Sequence, residues 1–108
     1  VMLNHINDGK LSLNQLMNFV CENPVKIFGI KNKGFIKEGY DADFTIVDMN
    51  KIIEIKNVNI ESKCGWSPFD GNKFKGTPVV TIINGKIKMQ DGKIIGDPKG
   101  KPLEFSNP

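Results

Sequence analysis

A chain of 108 residues suffices for one domain or a piece of one, and a compact fold of that size buries roughly two thirds of its unfolded surface. Hydrophobic residues make up 39% and charged residues 25%, ordinary globular values that exclude disorder for most of the chain. The formal charge is +3 and all fifteen cations are Lys; without Arg there is no planar fork to grip phosphates, and nucleic acid is not expected as a partner.

The first elements read as helical. Met2, Leu3 and Ile6 mark one apolar face, and Asp8-Gly9 ends it. Ser12 followed by Gln15 is a capping box, with Leu11 and Leu16 spaced as a hydrophobic staple. Leu13, Leu16, Met17 and Val20 recur at helical spacing. Pro24 disfavours a helical Asn23, so this helix is expected to end near Glu22. Asn23 then caps a short second helix that Gly29 stops. From Lys33 the period changes to two. A strand is expected at 43–48, a weaker one at 52–56, and then a meander of three strands. Asn84-Gly85 marks the first meander turn and Asp91-Gly92 the second. After Gly96 the Pro-rich tail reads as irregular. The chain thus divides into helices at 1–32, β structure at 33–96 with a Trp-containing loop at 61–76, and a tail at 97–108. The helices are too few to enclose a core alone, and Val1 falls inside a helical pattern; a fragment or a processed chain is expected.

Cys21 and Cys64 stand alone, so no zinc knuckle or CxxC redox motif exists, and isolated thiols fit a reducing cytoplasm. No run reaches the roughly 18 apolar residues of a membrane span, no secretory leader is recognisable, and no membrane is expected as a partner.

Candidate chemistry is sparse. A hydrolytic metal site needs several converging His and carboxylate ligands, and His5 is the one imidazole; it reads as a polar, half-buried helix residue. Ser62 and Ser67 flank Cys64 without a nucleophile-elbow pattern. Cys64 follows Lys63, which could lower its thiol pKa, but it reads as a small, semi-buried loop residue. Asp41 and Asp43, with Glu38 nearby, could form an acid–base pair; their place at a turn into a strand favours a structural role. Gly34 and Gly39 precede a strand, whereas a phosphate loop opens a helix. In "ESKCGWSPFDGNKFKG", Trp66, Pro68 and Phe69 supply rigid apolar mass and Gly65, Gly71 and Gly76 tight turns. Glu61 and Asp70 are its only plausible bases. The stretch reads as a loop that anchors an interface.

Four segments together resemble the C-terminal end of the dihydroorotases, zinc enzymes of the amidohydrolase superfamily. They are "GKLSLNQLMNFVCENPVKIFGI", "KGFIKEGYDADFTIVD", "ESKCGWSPFDG" and "GTPVVTIINGKIKMQDGKII". The second is similar to a segment of many amidohydrolases, the third to a stretch of bacterial dihydroorotases. The resemblance implies an α+β fragment: terminal helices of a (β/α)8 barrel followed by the C-terminal strands of a small composite β-sandwich. It also implies a parent that interconverts dihydroorotate and carbamoyl aspartate in pyrimidine biosynthesis, with zinc held upstream. No residue here inherits a catalytic, cofactor-binding or metal role, and no cofactor is expected in this portion. The implied partners are the rest of the dihydroorotase chain, aspartate transcarbamoylase or a second copy. Two alternatives stay open: a non-catalytic dihydroorotase-like scaffold that binds aspartate transcarbamoylase, and another cyclic amidohydrolase, an allantoinase or dihydropyrimidinase.

Overall fold

The computed structural model describes residues 1–106; the last two residues of the tail expected at 97–108 lie outside them. Helix α1 spans Met2–Asn7, and Asp8 ends it with its N–H on Asn4 O. Helix α2, Leu13–Met17, opens on the expected capping box. Ser12 Oγ accepts the Gln15 N–H at 3.1 Å, and Gln15 Oε1 accepts the Ser12 N–H at 2.8 Å.

The expected break at Asn23 does not occur. Asn23 is helical, with φ −65° and ψ −44°, and it is the first residue of the next helix, not its N-cap, a place taken by Glu22. The chain passes from α2 through a π-helical turn, Asn18–Glu22, directly into α3, Asn23–Phe28. Pro24 has no N–H to give, and its ring would press on the carbonyl four residues back. Widening the preceding turn, so that the Asn23 N–H reaches Asn18 O, accommodates the ring without ending the helix. Gly29 then terminates α3 in the left-handed region at φ 63°, as expected.

Strands β1 (Phe44–Glu54), β2 (Lys73–Ile83), β3 (Lys86–Gln90) and β4 (Lys93–Ile94) form one antiparallel sheet in the order β1-β2-β3-β4. The two strands expected at 43–48 and 52–56 are therefore one strand, with an irregularity between Asp48 and Ile52. Asp48 Oδ1 accepts the N–H groups of Asn50 (2.9 Å) and Lys51 (3.2 Å). The side chain thus serves donors that the ladder leaves free there, and the strand resumes afterwards. Pro78 sits beside a second register shift, where a missing N–H is tolerated. The Asn84-Gly85 turn has φ of 50° and 77°, the paired positive values a two-residue hairpin demands.

Helix α1 docks at the β1–β2 irregularity through two asparagines. Asn7 Nδ2 donates to Met49 O (2.9 Å) and Lys75 O (2.8 Å), while Asn4 Oδ1 accepts the Lys75 N–H (2.8 Å). Gly76 permits the approach. It holds φ 103°, and a Cβ there would lie 2.8 Å from Leu3 Cβ. At the other end of the helical region the tail returns to it. Phe105 bridges Ile30, and the Lys31 N–H reaches Glu104 O at 2.8 Å.

Burial is thin. Leu16 and Thr77, each 8% exposed, are joined only by Gly76 as buried residues among those described. Of the residues that recur at helical spacing, Leu16 is buried while Leu13, Met17 and Val20 are exposed. The accessible surface is 8269 Å², against about 6,000 Å² for a compact monomer of 12.0 kDa. No helix among the described residues is long and apolar enough to cross a membrane.

Candidate functional site

The loop between β1 and β2 is built from its base outward. Backbone bonds between Ile55 and Asn72 (2.9 Å) and between Gly71 and Ile55 (2.7 Å) close it. Inside, Asn57 and Asp70 cross-brace the two limbs. The Asn57 N–H donates to Asp70 Oδ1 at 2.8 Å, and Asn57 Oδ1 accepts the Ser67 N–H at 2.9 Å. Ser67 Oγ in turn accepts the Phe69 N–H at 3.1 Å. Phe69 stacks edge-to-face on Phe74 of β2, ring centres 5.8 Å apart. Asp70, one of the two candidate bases, is thus committed to a backbone amide. The braced loop presents apolar side chains outward: Val58 is 85% exposed and Trp66 60%.

Cys64 is exposed rather than semi-buried. Its thiol pKa is lowered, chiefly by the Ser62 hydroxyl 3.1 Å away and then by backbone groups of the turn. Lys63, the cause suggested by the sequence, is not among the groups responsible.

Asp41 and Asp43 form a clamp rather than an acid–base pair. Both bind Lys33, Asp41 at 3.0 Å and Asp43 more closely. The other oxygen of Asp43 accepts the Asn84 N–H at 2.8 Å, and Ala42 O accepts the Gly85 N–H at 2.9 Å. The clamp therefore ties the entry to β1 onto the β2–β3 turn. Its electrostatics agree with that geometry: hydrogen bonding to Lys33, then the Asn84 N–H, lowers the Asp43 pKa, and hydrogen bonding to Asp43, then Asp41, raises that of Lys33. Glu38 is exposed and outside the clamp.

His5 is half-buried on α1, with Nδ1 enclosed and without a hydrogen-bond partner. Among the described residues no three His, Cys, Asp or Glu side chains gather where one ion could sit. One imidazole and carboxylates already engaged by Lys33, Asn57 and Asn84 do not fit the zinc that the resemblance implies. Sequence reasoning missed Asn4, Asn7 and Asn57, whose partners lie far along the chain; their amides carry no periodic signal.

The arrangement is that of a braced, apolar-tipped loop beside an incompletely covered sheet, and comparison with known proteins accounts for it. The sequence model of the amidohydrolase family matches residues 1–88. The dihydroorotase of Pyrococcus furiosus is 45% identical over 103 residues, covering 95% of this chain and 25% of that protein. The dihydroorotase of Pyrococcus abyssi is 44% identical over the same share of each. The solved L-hydantoinase (dihydropyrimidinase) from Arthrobacter aurescens superposes with a TM-score of 0.84 at 36% identity, over 89% of this chain and 22% of that one. This chain thus spans about a quarter of the length of the curated relatives it matches. With residues 1–88 under one family model and near-complete alignment to its members, the chain belongs to the amidohydrolase family.

Proposed function

We propose that this chain is the C-terminal part of a dihydroorotase, a cyclic amide hydrolase interconverting dihydroorotate and carbamoyl aspartate in cytoplasmic pyrimidine biosynthesis. One observation carries the reading: 45% identity to a dihydroorotase over 95% of the chain. The "ESKCGWSPFDG" stretch, which resembles one in bacterial dihydroorotases, supports it. Residues 1–32 then are terminal helices in the outer ring of a (β/α)8 barrel, residues 33–96 supply strands to a composite β-sandwich, and 97–108 form the tail. Zinc, held by the upstream portion, would polarise the ring carbonyl when bound. The residues here position rather than react. The exposed helix face and the Trp66 loop offer apolar surface to the rest of the chain, and the Lys33 clamp keeps the sheet in register. Further partners of the whole protein are a second copy or aspartate transcarbamoylase.

The test is ring opening and closure by the whole protein, followed by the absorbance of dihydroorotate. Turnover that requires the upstream portion and is absent from residues 1–108 supports the reading. A second reading, a hydantoinase or dihydropyrimidinase, is favoured by the 0.84 TM-score to L-hydantoinase. Turnover of hydantoin or dihydrouracil without turnover of dihydroorotate would decide for it.

A further inference from the structure

The charge of this chain is unevenly placed. Between residues 86 and 101 stand Lys86, Lys88, Lys93, Lys99 and Lys101 against Asp91 and Asp97. Five Lys less two Asp leaves +3, the formal charge of the entire chain; elsewhere ten Lys face ten carboxylates. The fold draws four of these lysines together. Lys86, Lys88, Lys99 and Lys101 line a hollow of about 230 Å³ with Ile83 and Asn84. None of the four is in an ion pair among the described residues.

Beside the hollow, and sharing Ile83, Lys88 and Lys99 with it, runs a groove of about 630 Å³. Ile83, Met89, Ile94 and Ile95 supply its aliphatic lining, and Ile94 is 78% exposed. The far wall is the chain at 96–100, tethered where Lys88 Nζ donates to Asp97 O at 2.9 Å. An aliphatic trough with a cationic rim selects its occupant by two criteria at once. The rim attracts carboxylates, and the trough needs apolar side chains to replace water. Nucleic acid meets only the first, because the groove has no aromatic side chain for a base to stack on. A second copy of the same surface would bring like charges together.

We propose that the groove between β4 and residues 96–101 is a docking site for an extended segment of a partner protein, rich in Asp or Glu and carrying aliphatic anchors. The proposal stands apart from the reaction the whole protein catalyses. The test uses the whole protein and a fluorescein-labelled 12-residue peptide alternating Glu with Leu, followed by fluorescence anisotropy. The comparison probes are the same peptide with Lys for Glu, an all-Glu 12-mer and a 12-residue oligothymidine. The Glu/Leu peptide is expected to bind more tightly than all three, and less tightly as salt rises. The substitutions Lys99→Glu with Lys101→Glu are expected to weaken it at least about tenfold, and Ile94→Ser several-fold. All three side chains are exposed, so folding is not at stake. Failure of the Glu/Leu peptide to bind overturns the proposal, as it would if the protein's own remaining chain filled the groove. Binding indifferent to the lysine substitutions overturns it too. So does equal binding of the all-Glu peptide or of oligothymidine, the mark of an unspecific cationic surface.

Discussion

Asp43 shows how much one side chain is asked to hold. Its two oxygens join Lys33 to the Asn84 turn, bridging 41 residues of sequence on one side and 10 on the other. Asp43→Asn keeps the shape but loses the charge. It is expected to cost about 1 kcal/mol, since the pair is partly exposed, and to speed hydrogen exchange at Asn84 and Gly85 roughly fivefold. The pH dependence has a defined sign. Asp43 titrates below its ordinary 3.8 when folded, so its contribution is whole above that value and fades as the solution is acidified through the folded pKa. Lys33 titrates above 10.5, so its contribution is whole below that value and fades as pH rises past the folded pKa. Exchange at the turn, corrected for its intrinsic pH dependence, should therefore stay flat from about pH 5 to 9. Asp43→Asn should remove the acid limb and weaken the alkaline one, since Asp43 is the chief cause of the raised Lys33 pKa and only Asp41 is left to hold it. The sequence offered these carboxylates without Lys33, because a contact ten residues back across a turn leaves no pattern in one dimension. Asn57 escaped notice for the same reason, its donors and acceptors lying 10 and 13 residues away.

Among the elements, what could be read from sequence was what local chemistry decides. The Ser12–Gln15 box, the Gly29 stop and the Asn84-Gly85 hairpin each depend on residues within a few positions, and each stands where expected. Ser12→Ala should cost about 1 kcal/mol and loosen the amides of α2 while leaving the sheet unaffected, measurable by segment-resolved hydrogen exchange. The π-helical turn and the continuous β1 were not legible, because each is a compromise between a local rule and its surroundings. Pro24 argues for a break that the widened turn avoids, and Asp48 bridges a gap in the ladder that the sequence presents as an end. The meeting of α1 with β2 depends on a missing side chain. Gly76→Ala would strain a positive φ and set its Cβ against Leu3. A loss of about 2–4 kcal/mol is expected, with α1 released first and the Asn4 and Asn7 bonds to the sheet lost. Limited proteolysis within residues 1–12 would report it; an unchanged cleavage rate would count against this account of the packing.

For the whole molecule the accessible area decides. The surface exceeds that of a compact 12.0 kDa monomer by roughly 2,300 Å², well above the roughly 800 Å² that each partner gives to a standard interface. Residues 1–108 by themselves are therefore expected to bind an apolar dye and to self-associate, whereas the whole protein should do neither through these faces. Dye fluorescence and sedimentation velocity, compared between the two, check this. The division into helices and β structure was visible because hydrophobic period changes near Lys33, and so few helices could be seen not to enclose a core alone. Which apolar side chains stand exposed was not visible, because each looks the same in sequence whether its partner is present or absent. The irregularity at Asp48 has a consequence for such a chain. A long outer strand with free amides is a template on which identical molecules stack into fibres. Here the carboxylate holds two amides at the irregularity and the kink spoils the straight run, so chains whose sheet is not yet covered meet one another at an edge that resists ordered polymerisation.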